Sequence, residues 1–262
     1  MFCRINAKIT DKNSFITDRL KSEGKKLLDE KKDSYFRGLD ECFLRDYTIN
    51  ADEIAQRMFP IVEADIFLSH SHKDKGFVEA FAAWLYVEFE IKCFVDSVFW
   101  ESSEELIKNI VKRYCEENGK KRCSPKQINQ VRTHVNLILN GALMKMIDET
   151  ECFMFINTPN ALQTRDFLFQ ESITTSPWIY SELLISKLIR VRQLDKHTTR
   201  KKESGQKEKN ESIGLVFNHN ASINHLVNVD YSEWELWEKE CKGKKSTEAL
   251  DALYRVKGIL VR

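Results

Sequence analysis

Two short segments of this chain carry residue types that can do chemistry. Residues 65–74 read Asp-Ile-Phe-Leu-Ser-His-Ser-His-Lys-Asp. Ser69, His70 and His72 offer a hydroxyl and two imidazoles directly after an apolar run, a composition suited to proton transfer, metal ligation or polar ligand binding. Residues 176–183 read Ser-Pro-Trp-Ile-Tyr-Ser-Glu-Leu. Ser176 followed by Pro177 predicts a helix start. On that helix Trp178, Glu182, Ile185 and Ile189 fall on one stripe. A carboxylate on an apolar stripe either lines a cavity, where desolvation raises its pKa, or snorkels to the flank and pairs with a lysine. Periodicity alone leaves both open.

The elements that must position these groups alternate. Candidate strands are 65–69, 91–95, 151–156, 213–217 and 223–229. Candidate helices are 76–90, 103–117, 125–148, 177–192 and 231–241. This alternation predicts an α/β protein with a parallel sheet and helices on both faces. Residues 1–62 read as a helical extension, with Leu20, Leu27, Leu28, Tyr35, Phe36 and Leu39 as apolar contacts and an Asn50/Glu53 capping box before Ile54. The main domain then spans 63–262. Within it, 101–150 is an enlarged helical region, and the lysine-rich 196–212 reads as a mobile loop.

Composition narrows the function classes. The chain has 262 residues, 42% of them hydrophobic and 31% charged, which fits a globular domain. A formal net charge of +1 gives no argument for nucleic acid or an anionic membrane surface. No apolar run approaches the ~20 residues of a membrane helix, and the N-terminus shows no secretion signal. Seven cysteines without a C-x-x-C pair read as reduced thiols of a cytoplasmic protein rather than as disulfides or a structural zinc site.

A strand order 2-1-3-4-5 would put the topological switch point between the first and third of these strands, where open α/β sheets bind ligands. The loop holding Ser69, His70 and His72 would then face the loop that delivers the 177–192 helix. Glu182 would stand across the crevice from them.

The strand Asp-Ile-Phe-Leu-Ser with its His-Ser-His-Lys-Asp loop, the strand Lys-Cys-Phe-Val-Asp at 92–96, and Ser-Pro-Trp-Ile-Tyr-Ser-Glu-Leu at 176–183 together resemble a bacterial TIR (Toll/interleukin-1 receptor) domain. The resemblance covers roughly 65–100 and 150–241. It implies a flavodoxin-like five-stranded sheet of order 2-1-3-4-5. It also implies cleavage of the nicotinamide–ribose bond of NAD, with Glu182 as the essential carboxylate and NAD as substrate rather than cofactor. Asp96-Ser-Val-Phe-Trp100-Glu would form the loop over the pocket, and Asp96, Trp100 and Trp178 would join Ser69, His70 and His72 in binding substrate. Self-association through TIR contacts follows from the same resemblance. So does a role in antiphage defence, by NAD depletion or by a nucleotide signal read by a separate effector protein. The stretch between Val95 and Glu151 is long for the family. Many of its members only bind one another, so a non-catalytic adaptor is the alternative reading.

The chemistry suits these residues. Nicotinamide in NAD is a cationic leaving group, so its departure needs no general acid. The developing charge is oxocarbenium-like, and one carboxylate beside the ribose stabilises it. A tryptophan can stack on the cationic ring; ordinary core packing is the other role for Trp100 and Trp178. Three rivals are weaker. His70-x-His72-x-Asp74 opens a metallo-β-lactamase zinc motif, but Lys75 replaces its last histidine, and only His134, His197, His219 and His225 remain as further imidazoles. No G-x-G-x-x-G and no phosphate-binding G-x-x-x-x-G-K-[ST] loop occurs. A nucleoside-processing enzyme on a related sheet would also use a glutamate.

Overall fold

The computed structural model of the chain describes residues 2–9, 17–26, 54, 64–117, 120–121, 123–166, 171–191 and 219–259. The chain begins with β1 (Cys3–Ala7) and α1 (18–26), then β2 (Ile66–Ser69), a 3-10 turn (His72–Asp74), α2 (Lys75–Phe89) and β3 (Cys93–Val95). It continues through α3 (Ser97–Cys115), β4 (Glu116–Glu117), β5 (Lys120–Lys121), α4 (Pro125–Glu149) and β6 (Cys152–Ile156). Next come β7 (Gln163–Asp166), β8 (Glu171–Thr174) and α5 (Pro177–Leu188). The remaining elements are β9 (His219–Asn220), β10 (Val227–Val229), α6 (Tyr231–Glu240) and α7 (Ser246–Val256).

Five of these strands form one all-parallel sheet of order β10-β1-β6-β2-β3. Ile66–Ser69 and Cys152–Ile156 are buried at every position, as expected of parallel strands covered on both faces. On one side α2 and α6 meet through edge-to-face aromatic pairs, Phe81 with Trp234 and Trp84 with Trp237, and α7 packs against α6. The other helical layer is α3 against α4 and α4 against α5. Gly24 of α1 lies so close to the Glu79 carbonyl of α2 that a Cβ there would collide with it, so only glycine allows this approach.

The fold class is the one the alternation predicts, and four of the five sheet positions match the expected order. The fourth position does not. Residues 213–217 were expected there and lie outside the described residues. The position is filled by β1, which pairs with β6 along Cys3–Ala7 and with β10 along Ile5–Ala7. The expected helical extension over 1–62 is thereby corrected at its start: residues 18–26 are helical, but Cys3–Ala7 is a buried central strand. Its alternation is only five residues long, and what makes it a strand is long-range pairing on both edges.

Local signals set the helix ends. Ser124 and Gln127 form a capping box with Pro125 at the first turn of α4. Asp230 and Glu233 do the same for α6. A short hairpin of β4 and β5 joins α3 to α4, and at its base Cys115 and Cys123 are disulfide-bonded. That corrects the expectation of thiols only: the hairpin brings together two cysteines eight positions apart. Cys3, Cys93, Cys152 and Cys241 are buried and outside any disulfide.

Candidate functional site

Because the strands are parallel, all their carboxyl ends lie along one edge of the sheet. From β2 the chain goes to β3 on one side, and it later returns to β6 on the other. The switch point is therefore between β2 and β6, the adjacency the sequence predicts. Ser69 ends β2 and His70 follows it. Asp96 follows β3. Glu182 sits in the second turn of α5, which starts where Ser176 accepts a hydrogen bond from the Ile179 N–H at 3.3 Å, with Pro177 at the first turn.

These four side chains converge. The Ser69 hydroxyl donates to Glu182 Oε2 at 2.6 Å. His70 Nδ1 lies 2.7 Å from Asp96 Oδ1 and 3.4 Å from the Leu68 carbonyl. Asp96 lies near enough to Glu182 for its charge to act on that carboxyl. The cluster is sealed from water: relative exposure is 0% for Ser69 and Glu182 and 3% for His70 and Asp96. The polar atoms in it without a hydrogen-bond partner among the described residues include Glu182 Oε1 and His70 Nε2.

Burial pushes the Glu182 carboxyl well above the usual carboxylate range. The charge of the neighbouring Asp96 pushes the same way, and the Ser69 hydrogen bond only partly opposes it. For His70, burial works against the imidazolium. The Asp96 carboxylate and its hydrogen bond, the Leu68 carbonyl and the more distant Asp74 outweigh that, and the pKa rises. These directions favour the charged form of His70 and the neutral form of Glu182.

The other expected site residues stand differently. His72 lies in the 3-10 turn with its side chain exposed, away from His70, and does not join the cluster. The turn directs successive side chains apart, which strand-like spacing does not anticipate. Trp178 is half-buried in the first turn of α5, one turn before Glu182. Trp100 falls in the first turn of α3, and its side chain is outside the described residues. Asp74, read only as part of a metal motif, has a bracing role instead. It accepts from Thr158 Oγ1 at 2.5 Å and from Asn160 Nδ2 at 2.6 Å, tying the turn after β2 to the loop after β6. Thr158 and Asn160 gave no signal beyond lying in the loop expected to deliver the 177–192 helix. Among the described residues no group of three or more His, Cys, Asp or Glu side chains is placed to hold a metal ion.

One turn further along α5 is a second, partly buried polar group that the sequence did not reveal. Ser186 Oγ is 2.9 Å from His225 Nε2 and donates to the Leu183 carbonyl at 2.8 Å, and Arg4 of β1 donates to the Ile189 carbonyl. Spacing alone pointed to Ser186, which sits four residues after Glu182, but a serine on an apolar stripe attracts no attention.

No protein-family model, curated protein or solved structure matches the chain. Nor is any helix among the described residues long and apolar enough to cross a membrane.

Proposed function

We propose that the chain is an NAD glycohydrolase or ADP-ribosyl cyclase of TIR-like type, with Glu182 as its catalytic carboxylate. The observation that carries this reading is the Glu182 carboxyl group. It is buried at the switch point with one oxygen held by Ser69 and the other without a partner. An acceptor left unsatisfied in a dry site is costly unless a ligand supplies the donor. Ribose hydroxyls supply such donors. Once ionised, the same carboxylate stabilises the oxocarbenium that forms as nicotinamide leaves. Trp178, one turn earlier on the same helix and half-buried, is the aromatic residue that would stack on the flat cationic ring. Water attacking the ribose gives ADP-ribose, and attack by the adenine gives a cyclic product. Either outcome suits a role in defence through NAD depletion or a nucleotide signal.

Incubation of the full chain with NAD and, separately, with deoxynucleosides, followed by chromatography, tests this. Free nicotinamide with ADP-ribose or a cyclic isomer is expected. Base release from deoxynucleosides, with NAD intact, would point to a nucleoside-processing enzyme instead.

A specific observation favours the second reading, a non-catalytic module acting by self-association. The cluster is closed to solvent, while Leu184, Leu188 and Val191 stand exposed on α5 and just beyond it. In that case NAD remains intact at every protein concentration, and light scattering shows oligomers that a Leu188→Glu substitution disperses.

A further inference from the structure

The interior strand β1 carries a polar residue that its position does not call for. Parallel strands covered on both faces are apolar almost throughout, yet Asn6 lies among them with only 1% exposure. Its Nδ2 donates to Asn228 Oδ1 of β10 at 2.6 Å, while its own Oδ1 is buried without a hydrogen-bond partner among the described residues. A brace between two strands is complete with the first of these contacts. The second atom is an acceptor left dry, which is costly unless something supplies a donor.

The register shows where that oxygen stands. Asn6 pairs with Asn228 on one side and with Phe155 on the other, and Phe155 pairs in turn with Ser69. Leu68 pairs with Val95, so the next residue of each chain puts Asp96 beside Ser69. Asn228, Asn6, Phe155, Ser69 and Asp96 thus form one row near the carboxyl edge, where open α/β sheets take their ligands. Ser69 and Asn6 look toward the same helix. Ser69 donates to Glu182 of α5, and Arg4, two residues before Asn6 and so on the same side of β1, donates to the Ile189 carbonyl at the end of α5. Two buried acceptors without partners, Glu182 Oε1 and Asn6 Oδ1, therefore lie on one face of the sheet. The strands beneath them, β2 and β1, flank β6 and stand two strand spacings, about 10 Å, apart.

We propose that Asn6 is a second ligand anchor of the Glu182 site: its amide oxygen accepts from the carboxamide N–H of a nicotinamide ring while Glu182 accepts from the ribose hydroxyls. This rests on the NAD reading and deepens it, because it names the ligand group that is recognised and the residue that recognises it. A nicotinamide riboside unit with a hydrogen bond at each end spans a gap of this size. Between the two anchors in the row is Phe155, an aromatic residue of the kind a flat cationic ring packs on. A dinucleotide whose carboxamide is replaced by a carboxylate has no N–H to give, and it brings a negative charge against a dry oxygen. Sites built to hydrogen-bond a group reject the analogue that lacks it. Asn6 is thus a specificity-determining residue: it holds the ring and moves no proton.

The test compares kcat/KM of the full chain for NAD and for nicotinic acid adenine dinucleotide, its carboxylate analogue. The wild type should prefer NAD by at least about tenfold. Asn6→Leu keeps the volume, suits an apolar strand and removes the amide oxygen. It should make the two dinucleotides nearly equal, chiefly by raising KM for NAD. Asn228→Ala removes the same inter-strand hydrogen bond but leaves the Asn6 oxygen, and it should keep most of the preference. Should Asn6→Leu lack the wild-type circular dichroism spectrum, Asn6→Val, smaller and a strong strand former, is compared in the same way. A wild type that cleaves both dinucleotides equally, or a preference that the Asn6 substitution leaves unchanged, would overturn the assignment while leaving the NAD reading intact. So would a preference lost as fully in Asn228→Ala, since the pair would then be a brace only. A folded wild type that neither binds nor cleaves NAD would overturn the NAD reading and this assignment with it.

Discussion

The inner face of α5 holds two polar groups one helical turn apart, the first fully buried and the second partly, each containing a histidine, and they behave in opposite ways. At Glu182 the neighbours are acidic, and His70 is drawn toward its charged form by Asp96 despite burial. At Ser186 the neighbours are basic. Burial first, then Arg4 and Lys187, push His225 down to about 4, so it is neutral at physiological pH. The same residue type on the same layer thus becomes a held cation in one place and a neutral hydrogen-bonding ring in the other. The sign of the surrounding charge decides between them. The acidic group is the one proposed to act on the cationic ring of NAD. The basic one joins helix to sheet, since Arg4 of the central strand donates to the last turn of α5.

Breaking the acidic side should have the largest effect. Asp96→Asn leaves the buried imidazole without its counter-ion, at a cost of about 3 kcal/mol. It should also lower NAD turnover by about a hundredfold, because Glu182 loses the partner that sets its protonation. Thermal unfolding and steady-state kinetics on the same preparation read both losses. A variant with wild-type turnover would remove Asp96 from the site.

The opposed histidines give opposed pH slopes. His225 is depressed, so between its ordinary 6.5 and about 4 the unfolded chain binds more protons than the folded one. Stability from this group is therefore lost as pH falls through that window. His70 and Glu182 are raised, so the folded state holds more protons. Their contribution is present at low pH and lost as pH rises, from the ordinary 4.5 upward for Glu182 and from 6.5 upward for His70. Urea unfolding against pH should show His225→Gln flattening the acid limb and Glu182→Gln flattening the alkaline limb. If either substitution flattened the other limb, the assignment of charge to the two groups would be reversed.

Smaller effects come from the supports. Arg4→Met should cost about 1.5 kcal/mol through loss of its hydrogen bond to the Ile189 carbonyl, with little change in NAD turnover. Ser176→Ala should cost about 1 kcal/mol by uncapping α5. Chemical denaturation resolves both. Turnover falling with Arg4→Met as steeply as with Asp96→Asn would erase the division of labour between the two groups.

Much of the acidic group was legible in the sequence. Ser69, His70 and Asp96 each stand at the carboxyl end of an apolar run, and parallel strands bring such ends to one edge. Glu182 was marked by its place on an apolar stripe. His72 misled because the chain turns immediately after His70, and a 3-10 turn separates residues that strand spacing would place on one face. The basic group was illegible because it depends on β1. Cys3–Ala7 is too short to declare itself, and its partners Cys152–Ile156 and Val227–Val229 are far along the chain. The β7–β8 hairpin was hidden for a different reason: Gln163–Asp166 and Glu171–Thr174 are mostly polar, and antiparallel pairing makes them strands. The Cys115–Cys123 bond likewise follows from a hairpin of two-residue strands, below the length any periodicity can show.

The most direct test of the Glu182 assignment is nicotinamide release from NAD by the wild-type chain and by Glu182→Gln, with circular dichroism to confirm that both are folded. The wild type should release nicotinamide, and the variant should release at least about a hundredfold less while keeping the wild-type spectrum. Equal release by the two folded proteins would contradict the role of Glu182.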